Sequence, residues 1–221
     1  MNAFSYLLDG MSEFDEIVSD IKKQSGPVHA LGVSGSQKSH MIYSLGSHTT
    51  GQCLVVCADE TEAGRIVKEL SFFYFDAVLY FPPREYVFYD VDASDRKAEY
   101  GRIKSLCRIK EAKFIVTTIS ALMSYTVSPE IFYENTTVIK PGDTVNMEEF
   151  INRLAFMGYS RVSTVEGTGQ FSVRGSIIDI FSPCADLPYR IELWGDDVDS
   201  VRLFSPKTQL SDTNAEEAAI C

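Results

Sequence analysis

One short segment carries most of the residues of a phosphate-binding loop. It reads GVSGSQKS over residues 32–39, whereas such a loop follows the pattern G-x-x-x-x-G-K-[ST] between a strand and a helix. Gln37 takes the place of the second glycine, whose missing side chain lets backbone N–H groups turn toward phosphates. The segment therefore indicates a degenerate nucleotide loop, and we expect no cofactor. Its residues are Gly32, Gly35, Gln37, Lys38 and Ser39.

A simpler interpretation gives this segment only a structural role. Gly35 would bend the chain between strand and helix, and Ser36 would cap the helix. Hydrolysis of a nucleotide also needs an acidic metal-binding residue at a strand end, a base and an arginine. Asp59 and Glu60 come too early in the strand order for that role, so we predict no catalytic residues and favour the structural interpretation over ATP binding.

A second group of polar residues lies on short β-type segments in the second half of the chain. Arg161 falls in YSRVSTVE (159–166) and Arg174 in QFSVRG (170–175), on either side of the turn GTG. Two arginines on neighbouring strands would form a positive patch suited to carboxylates of a partner protein. Solvated or internally paired arginines are the competing interpretation, and Glu166 is close enough in sequence to neutralise one of them.

Side-chain alternation sorts the residues around Arg174. Phe171 would point to one face of the strand, and Ser172 and Arg174 to the other. An aromatic residue beside a turn can be an interface anchor or a core side chain, and the sequence leaves both open for Phe171. Arg190 in PYRIELW is expected to form an internal ion pair with Glu192 and Asp196.

The first half of the chain alternates strand and helix patterns, which predicts a parallel α/β sheet. The predicted helices cover 60–75 and 94–112, the latter with Ser94 as its cap. The predicted strands are VHALGV (28–33), GQCLVVCAD (51–59), DAVLYF (76–81) and KFIVTT (113–118).

The second half predicts a small α+β domain with an antiparallel sheet. A helix over 147–158 precedes strands over 159–166, 170–175, 176–182, 188–194 and 198–204. The expected domains are 1–126, 127–207 and a truncated further segment, 208–221. In that last segment AAIC resembles the start of a strand with nothing to pair with.

Composition excludes several classes of protein. The formal charge of −11 makes nucleic acid an improbable principal ligand. No apolar stretch is long enough to cross a membrane and acidic residues interrupt the first 24 residues, which predicts a cytoplasmic protein without a membrane partner. Five cysteines without a CxxC pair indicate neither a disulfide framework nor a zinc site, so we expect no metal and reduced thiols, mostly in the core.

Two long segments carry a family resemblance. GQFSVRGSIIDIFSP (169–183) and PYRIELWGDDVDSVRLFSPKTQLS (188–211), following a degenerate phosphate loop, resemble the module shared by the excision-repair helicase UvrB and the transcription-repair coupling factors (Mfd). The resemblance covers about residues 25 to 210. UvrB would have an intact loop and a long DNA-clamping hairpin where this chain has only residues 81–94. The spacing of residues 83–90 is similar to the coupling factors.

The resemblance implies a RecA-like, P-loop-type first domain and a noncatalytic adaptor that binds UvrA and recruits excision repair to stalled RNA polymerase. By motif position, Arg161 and Arg174 match the arginines with which UvrB-type modules grip UvrA, and Phe171 lies beside them. Ser172 stands where UvrB has a third arginine. RNA polymerase and double-stranded DNA would be partners of family domains absent here.

Two alternatives remain at this point. The chain could be a fragment of an ATP-dependent UvrB-type DNA helicase that binds nucleotide, against which Gln37 and the short 81–94 interval argue. It could also be a DNA-binding module, which the net charge opposes.

Overall fold

The structure is a computed structural model that describes residues 7–84 and 96–221, except for the side chain of Asp212. Its described residues form two compact units: unit 1 holds residues 7–84 and 108–124, and unit 2 holds residues 96–107 and 125–221. The expected Ser94 cap and most of the 83–90 motif, from residue 85 onward, lie outside the described residues.

Helices and strands are numbered separately in chain order. The elements are α1 (Ser12–Lys23), α2 (Ser36–Ser47), β1 (Cys53–Cys57), α3 (Glu60–Phe73), β2 (Val78–Phe81), α4 (Lys97–Arg108), β3 (Phe114–Thr118), α5 (Ile119–Leu122), α6 (Pro129–Glu134), β4 (Thr137–Ile139), α7 (Met147–Phe156), β5 (Ser160–Arg161), β6 (Gln170–Arg174), β7 (Ile177–Ile180), β8 (Tyr189–Trp194), β9 (Asp197–Phe204), β10 (Ser211–Asn214) and β11 (Ala218–Ile220).

Unit 1 is built on a three-stranded parallel sheet in the order β1-β3-β2. The parallel pairing predicted from strand–helix alternation is confirmed. Helix α3 begins after Asp59, whose side chain accepts a hydrogen bond from the Glu62 N–H at 2.8 Å. Its residues Ala63, Ile66 and Leu70 recur at helical spacing and are buried, so this face supplies the core of the unit.

The strand expected over 28–33 is wrong. This segment has no strand pairing within the described residues, and Val28 and Leu31 are 41% and 91% exposed. A strand needs a neighbour to satisfy its backbone N–H and C=O groups, and the sheet places none beside it. The loop at Gly32 therefore does not follow a strand. Unit 1 is a mixed α/β unit with a parallel sheet, and a P-loop or RecA-like fold is not established for it.

Unit 2 contains a six-stranded sheet in the order β10-β9-β8-β7-β6-β5. Strands β6 to β9 pair antiparallel as predicted, and β10 adds an antiparallel strand that was not predicted. Strand β5, by contrast, pairs with β6 in parallel. The predicted strand over 159–166 is reduced to two residues. On one face Ile178 lies opposite Ile191, which lies opposite Val201. These side chains share one core with buried residues of α7.

The last residues of the chain belong to this unit. Strand β11 pairs antiparallel with β4, and Ala218 and Ile220 are fully buried. The expectation that AAIC has nothing to pair with is wrong, because the partner strand lies about 80 residues earlier and carries little periodic signal in only three residues.

The cysteines differ from their expected arrangement. Cys57 is a buried free thiol and Cys53 is half-buried, as expected of reduced thiols. Cys107, Cys184 and Cys221, however, are half-buried and their sulfur atoms lie together in unit 2. Sequence spacing missed this cluster because the three residues are 77 and 37 positions apart.

Among the helices of the described residues, none combines the length and the apolar character needed to cross a membrane.

Candidate functional site

In the degenerate loop, a side chain of the loop itself binds a backbone N–H group. Gly32 and Gly35 have φ values of 81° and 53°, a conformation open to glycine at no steric cost. Gln37 Oε1 accepts a hydrogen bond from the Ser34 N–H at 3.3 Å. In an active phosphate loop such N–H groups face the phosphates. The side chain at the altered position therefore takes a donor that a nucleotide would need.

Lys38 is also engaged. Its Nζ donates to Glu62 Oε1 at 2.9 Å, and the hydrogen bond from Lys38 is the largest cause of a lowered pKa of Glu62. The Ser36 hydroxyl donates to Glu69 Oε1 at 3.0 Å. Binding a phosphate at Lys38 would first require separating it from Glu62. The acid weighed above for metal binding, Asp59, serves instead as the cap of α3.

The two arginines of the second group lie on adjacent strands, as predicted. Arg161 ends the edge strand β5 and is aligned with Phe171 on β6. Arg174 lies three residues further along β6, which places its Cα roughly 11 Å from that of Arg161 by standard strand spacings. Arg161 is aligned with a position three residues before Arg174, so alternation directs the two side chains toward opposite faces of the sheet. Both residues nevertheless lie at the same border of the sheet, where side chains from either face can be reached. We call this border of the sheet, marked by Arg161 and Arg174, the arginine edge.

Arg161 is exposed, and within the described residues it forms no ion pair or hydrogen bond through its side chain. The neutralisation by Glu166 considered from the sequence is not seen for either arginine in that part of the chain. Arg174 has a side chain that is 48% exposed, and its Nη2 donates to Asp179 Oδ2. Most of its other N–H donors remain available to a partner.

Asp179 is the centre of an ion cluster behind the arginine edge. Its carboxylate is fully buried and also accepts two hydrogen bonds from Arg190, Nε to Oδ1 at 2.7 Å and Nη2 to Oδ2 at 2.9 Å. The Arg190 guanidinium lies 4.6 Å from the ring centroid of Phe204. The hydrogen bond with Asp179 is the largest cause of a raised pKa of Arg190. One carboxylate thus faces two guanidinium groups, which leaves a net positive charge at this position.

Arg190 forms an internal ion pair as expected, but with Asp179. Glu192 is instead within 3.3 Å of Arg202. Sequence reasoning missed Asp179, although an available signal was the single acid in SIIDIFS, between isoleucines on a core strand. A charge in that setting requires a partner.

Two of the proposed site residues are not at the surface. Phe171 is 1% exposed and packs in the core of unit 2, which favours the core interpretation over an interface anchor. Ser172 is also 1% exposed, and within the described residues its hydroxyl has no hydrogen-bond partner. Ser172 lies opposite Asp179 across the β6–β7 pair, so it borders the ion cluster rather than solvent.

Comparison with known proteins supports the resemblance found in the motifs. Residues 138–221 match the family model of the UvrB interaction domain. Transcription-repair-coupling factors from Staphylococcus aureus strains RF122 / ET3-1 and USA300 are 29% and 28% identical to this chain over 97% of its length. The same factor from Myxococcus xanthus is 28% identical over 90% of the chain.

The chain spans about a fifth of the length of these curated relatives, covering 19% of the Staphylococcus proteins and 17% of the Myxococcus protein. The similarity runs through both units, and the UvrB interaction domain match covers most of unit 2. The family resemblance is supported to this extent: residues 138–221 match the UvrB interaction domain, and the chain is similar over nearly its whole length to part of the transcription-repair-coupling factors.

Proposed function

We propose that this chain is a noncatalytic adaptor module that binds UvrA and so recruits nucleotide excision repair to stalled RNA polymerase. The observation that carries the proposal is the arginine edge. It offers the exposed Arg161 and the half-exposed Arg174, and it lies within the segment that matches the UvrB interaction domain.

Electrostatics support a protein partner with acidic groups at its surface. Arg190 already holds Asp179 with two hydrogen bonds, so Arg174 is only partly neutralised by that carboxylate. Arginine binds carboxylates through paired N–H groups and is frequent at energetically important interface positions. Polymerase and double-stranded DNA, by contrast, are assigned in this proposal to parts of the relatives that this chain does not span.

The contacts of the degenerate loop support a noncatalytic role. Gln37 binds one of the backbone N–H groups, and Glu62 binds the lysine, that a triphosphate would require. The alternative, a nucleotide-binding helicase fragment, predicts saturable binding of labelled ATP by the wild-type chain. The adaptor proposal predicts none, and a variant with Gln37→Gly and Glu62→Gln tests whether freeing these groups restores any.

Co-migration with UvrA tests the proposal. The wild-type chain is mixed with purified UvrA and run on a size-exclusion column, with the Arg161→Glu variant in parallel. Arg161 has no side-chain partner within the described residues, so this variant reverses a charge without breaking an internal contact. We expect the wild type to elute with UvrA and the variant to elute largely alone. Elution of the wild type apart from UvrA would refute the proposal.

A further inference from the structure

Unit 2 also contains a cluster of three cysteine sulfur atoms, and the proposed function does not use these residues. The Sγ atoms of Cys107, Cys184 and Cys221 lie within 4.8 Å of one another, and all three residues are half-buried. The three sulfur atoms therefore form one cluster, with Cys184 next to both of the others.

Three separate elements bring these residues together. Cys107 lies in the last turn of α4, Cys184 in the loop between β7 and β8, and Cys221 directly after β11. The loop is fixed by a turn in which the Ala185 N–H bonds to the Ser182 carbonyl at 3.1 Å, with Pro183 restricting the backbone between them. The convergence is therefore built by the fold and does not depend on a flexible loop.

Further contacts hold the cluster in place. The buried Ser182 hydroxyl accepts from the Cys184 N–H at 3.3 Å and lies 3.8 Å from Cys221 Sγ. The Tyr159 hydroxyl donates to the Cys221 carbonyl at 2.9 Å. Lys104, one turn before Cys107, forms an ion pair with Asp186, two residues after Cys184. Most of these contacts fix the backbone around the sulfur-bearing residues, and the Ser182 hydroxyl also contacts one of the sulfur atoms.

We propose that Cys107, Cys184 and Cys221 form a binding site for Zn²⁺ or a similar soft divalent ion. Zinc accepts thiolate ligands, and in zinc sites with three protein ligands water takes the fourth position. Binding exchanges three thiol protons for one ion: Zn²⁺ and three thiols give a tris-thiolate complex of charge −1 and three released protons.

The test uses the full 221-residue chain, reduced and then freed of reductant without oxygen. Titration with Co²⁺ should produce thiolate-to-metal charge-transfer absorption that Zn²⁺ abolishes, at a ratio of one ion per chain. Cys184→Ser should lower the affinity for Zn²⁺ at least tenfold. The matched control is Cys53→Ser, because Cys53 is an equally half-buried free thiol in unit 1, and it should leave the affinity unchanged.

A second measurement on the wild-type chain decides the matter if the Cys184→Ser variant fails to fold. Zn²⁺ should slow alkylation of the three clustered cysteines but not of Cys53, as read by peptide mass spectrometry. The proposal is overturned if the reduced chain shows no Co²⁺–thiolate absorption, or if Zn²⁺ leaves the alkylation of the cluster unchanged. A disulfide within the cluster that forms in air, with no metal binding after reduction, overturns it equally.

Discussion

Asp179 shows how much of this molecule depends on single residues. It is the only acid on β7, it is fully buried, and it holds Arg174 and Arg190 together. Single residues also decide the chemistry of the degenerate loop. Gln37 binds a backbone N–H and Glu62 binds the lysine that a nucleotide would use. In both places a charged or polar side chain is satisfied within the chain. Only Arg161, and part of Arg174, remain available to a partner among the residues described at the arginine edge.

Removing Asp179 should strongly destabilise unit 2. In Asp179→Ala the Arg190 side chain, 14% exposed, would keep its charge without a carboxylate, and breaking a buried pair in this way costs about 3–5 kcal/mol of the free energy of unfolding. Urea denaturation measures the change. The control is Glu192→Ala, whose partner Arg202 is 40% exposed and whose loss should stay below about 1 kcal/mol. Equal losses in the two variants would contradict the central role of Asp179.

Tyr159 predicts an alkaline dependence of stability. Desolvation by burial raises its pKa to about 12, whereas an unfolded tyrosine ionises at about 10. The folded chain keeps Tyr159 protonated to a higher pH than the unfolded chain does. The contribution of Tyr159 to the free energy of unfolding is therefore complete below about pH 10 and is lost as the pH rises toward 12. Urea unfolding at about pH 9 and about pH 11 should show a smaller decline in Tyr159→Phe than in the wild type. A decline of the same size in both would rule out Tyr159 as a cause.

At the scale of elements, local sequence patterns were sufficient to predict a helix or strand where the element has an amphipathic face or a long apolar run. Helix α3 and the strands β1 to β3 and β5 to β8 fall within their predicted segments, and β9 begins one residue earlier, because side-chain periodicity reflects burial. Strand β10 was not predicted. Two predictions failed because strand pairing depends on a distant partner that the local sequence does not show. Residues 28–33 have strand-like composition without a partner, and β11 has a partner that the local pattern does not reveal.

The site shows the same division between local and long-range information. The motif located Arg161 and Arg174 on adjacent strands, and alternation separated Phe171 from Arg174. The sequence did not reveal that Asp179 pairs with Arg190, because this pairing depends on the register between β7 and β8. The meeting of Cys107, Cys184 and Cys221 likewise follows from the placement of three elements and not from any local spacing.

Helix α2 gives a prediction opposite in sign to helix propensity. A Cβ at Gly46 would collide with the ring of Phe114, whereas one at Gly64 in α3 would meet nothing within 4 Å. Replacing a helical glycine by alanine normally stabilises a protein by roughly 0.5–1 kcal/mol. We expect that gain for Gly64→Ala and a loss for Gly46→Ala in urea denaturation. A gain in both variants would contradict the close approach of α2 to β3.

Strand β11 should be essential to unit 2. Ile220 is fully buried, while Val138 on the partner strand β4 is 45% exposed. Truncating a buried isoleucine to alanine costs about 2–5 kcal/mol, so Ile220→Ala should lower the free energy of unfolding far more than Val138→Ala. Similar values for the two variants would show that the β4–β11 pair does not contribute to the core.

At the scale of the whole molecule, the chain combines a strongly acidic average with a local positive edge. The net charge of −11 repels nucleic acid at long range, while screening at physiological salt limits such effects to about 8 Å. A partner that approaches the arginine edge closely therefore meets the local guanidinium groups more than the average field. The proposed binding of an acidic protein surface depends on this local positive charge and not on the net charge of the chain.

Calorimetric titration of UvrA with the wild-type chain and a variant that combines Arg161→Glu with Arg174→Ala tests the adaptor account most directly. Arg65→Ala is the matched control, since Arg65 lies on α3 in unit 1 and pairs only with its helical neighbour Glu69 among the described residues. The account predicts saturable binding by the wild type and the control, and binding at least tenfold weaker, about 1.4 kcal/mol, in the double variant. Equal affinities for all three folded proteins would contradict it.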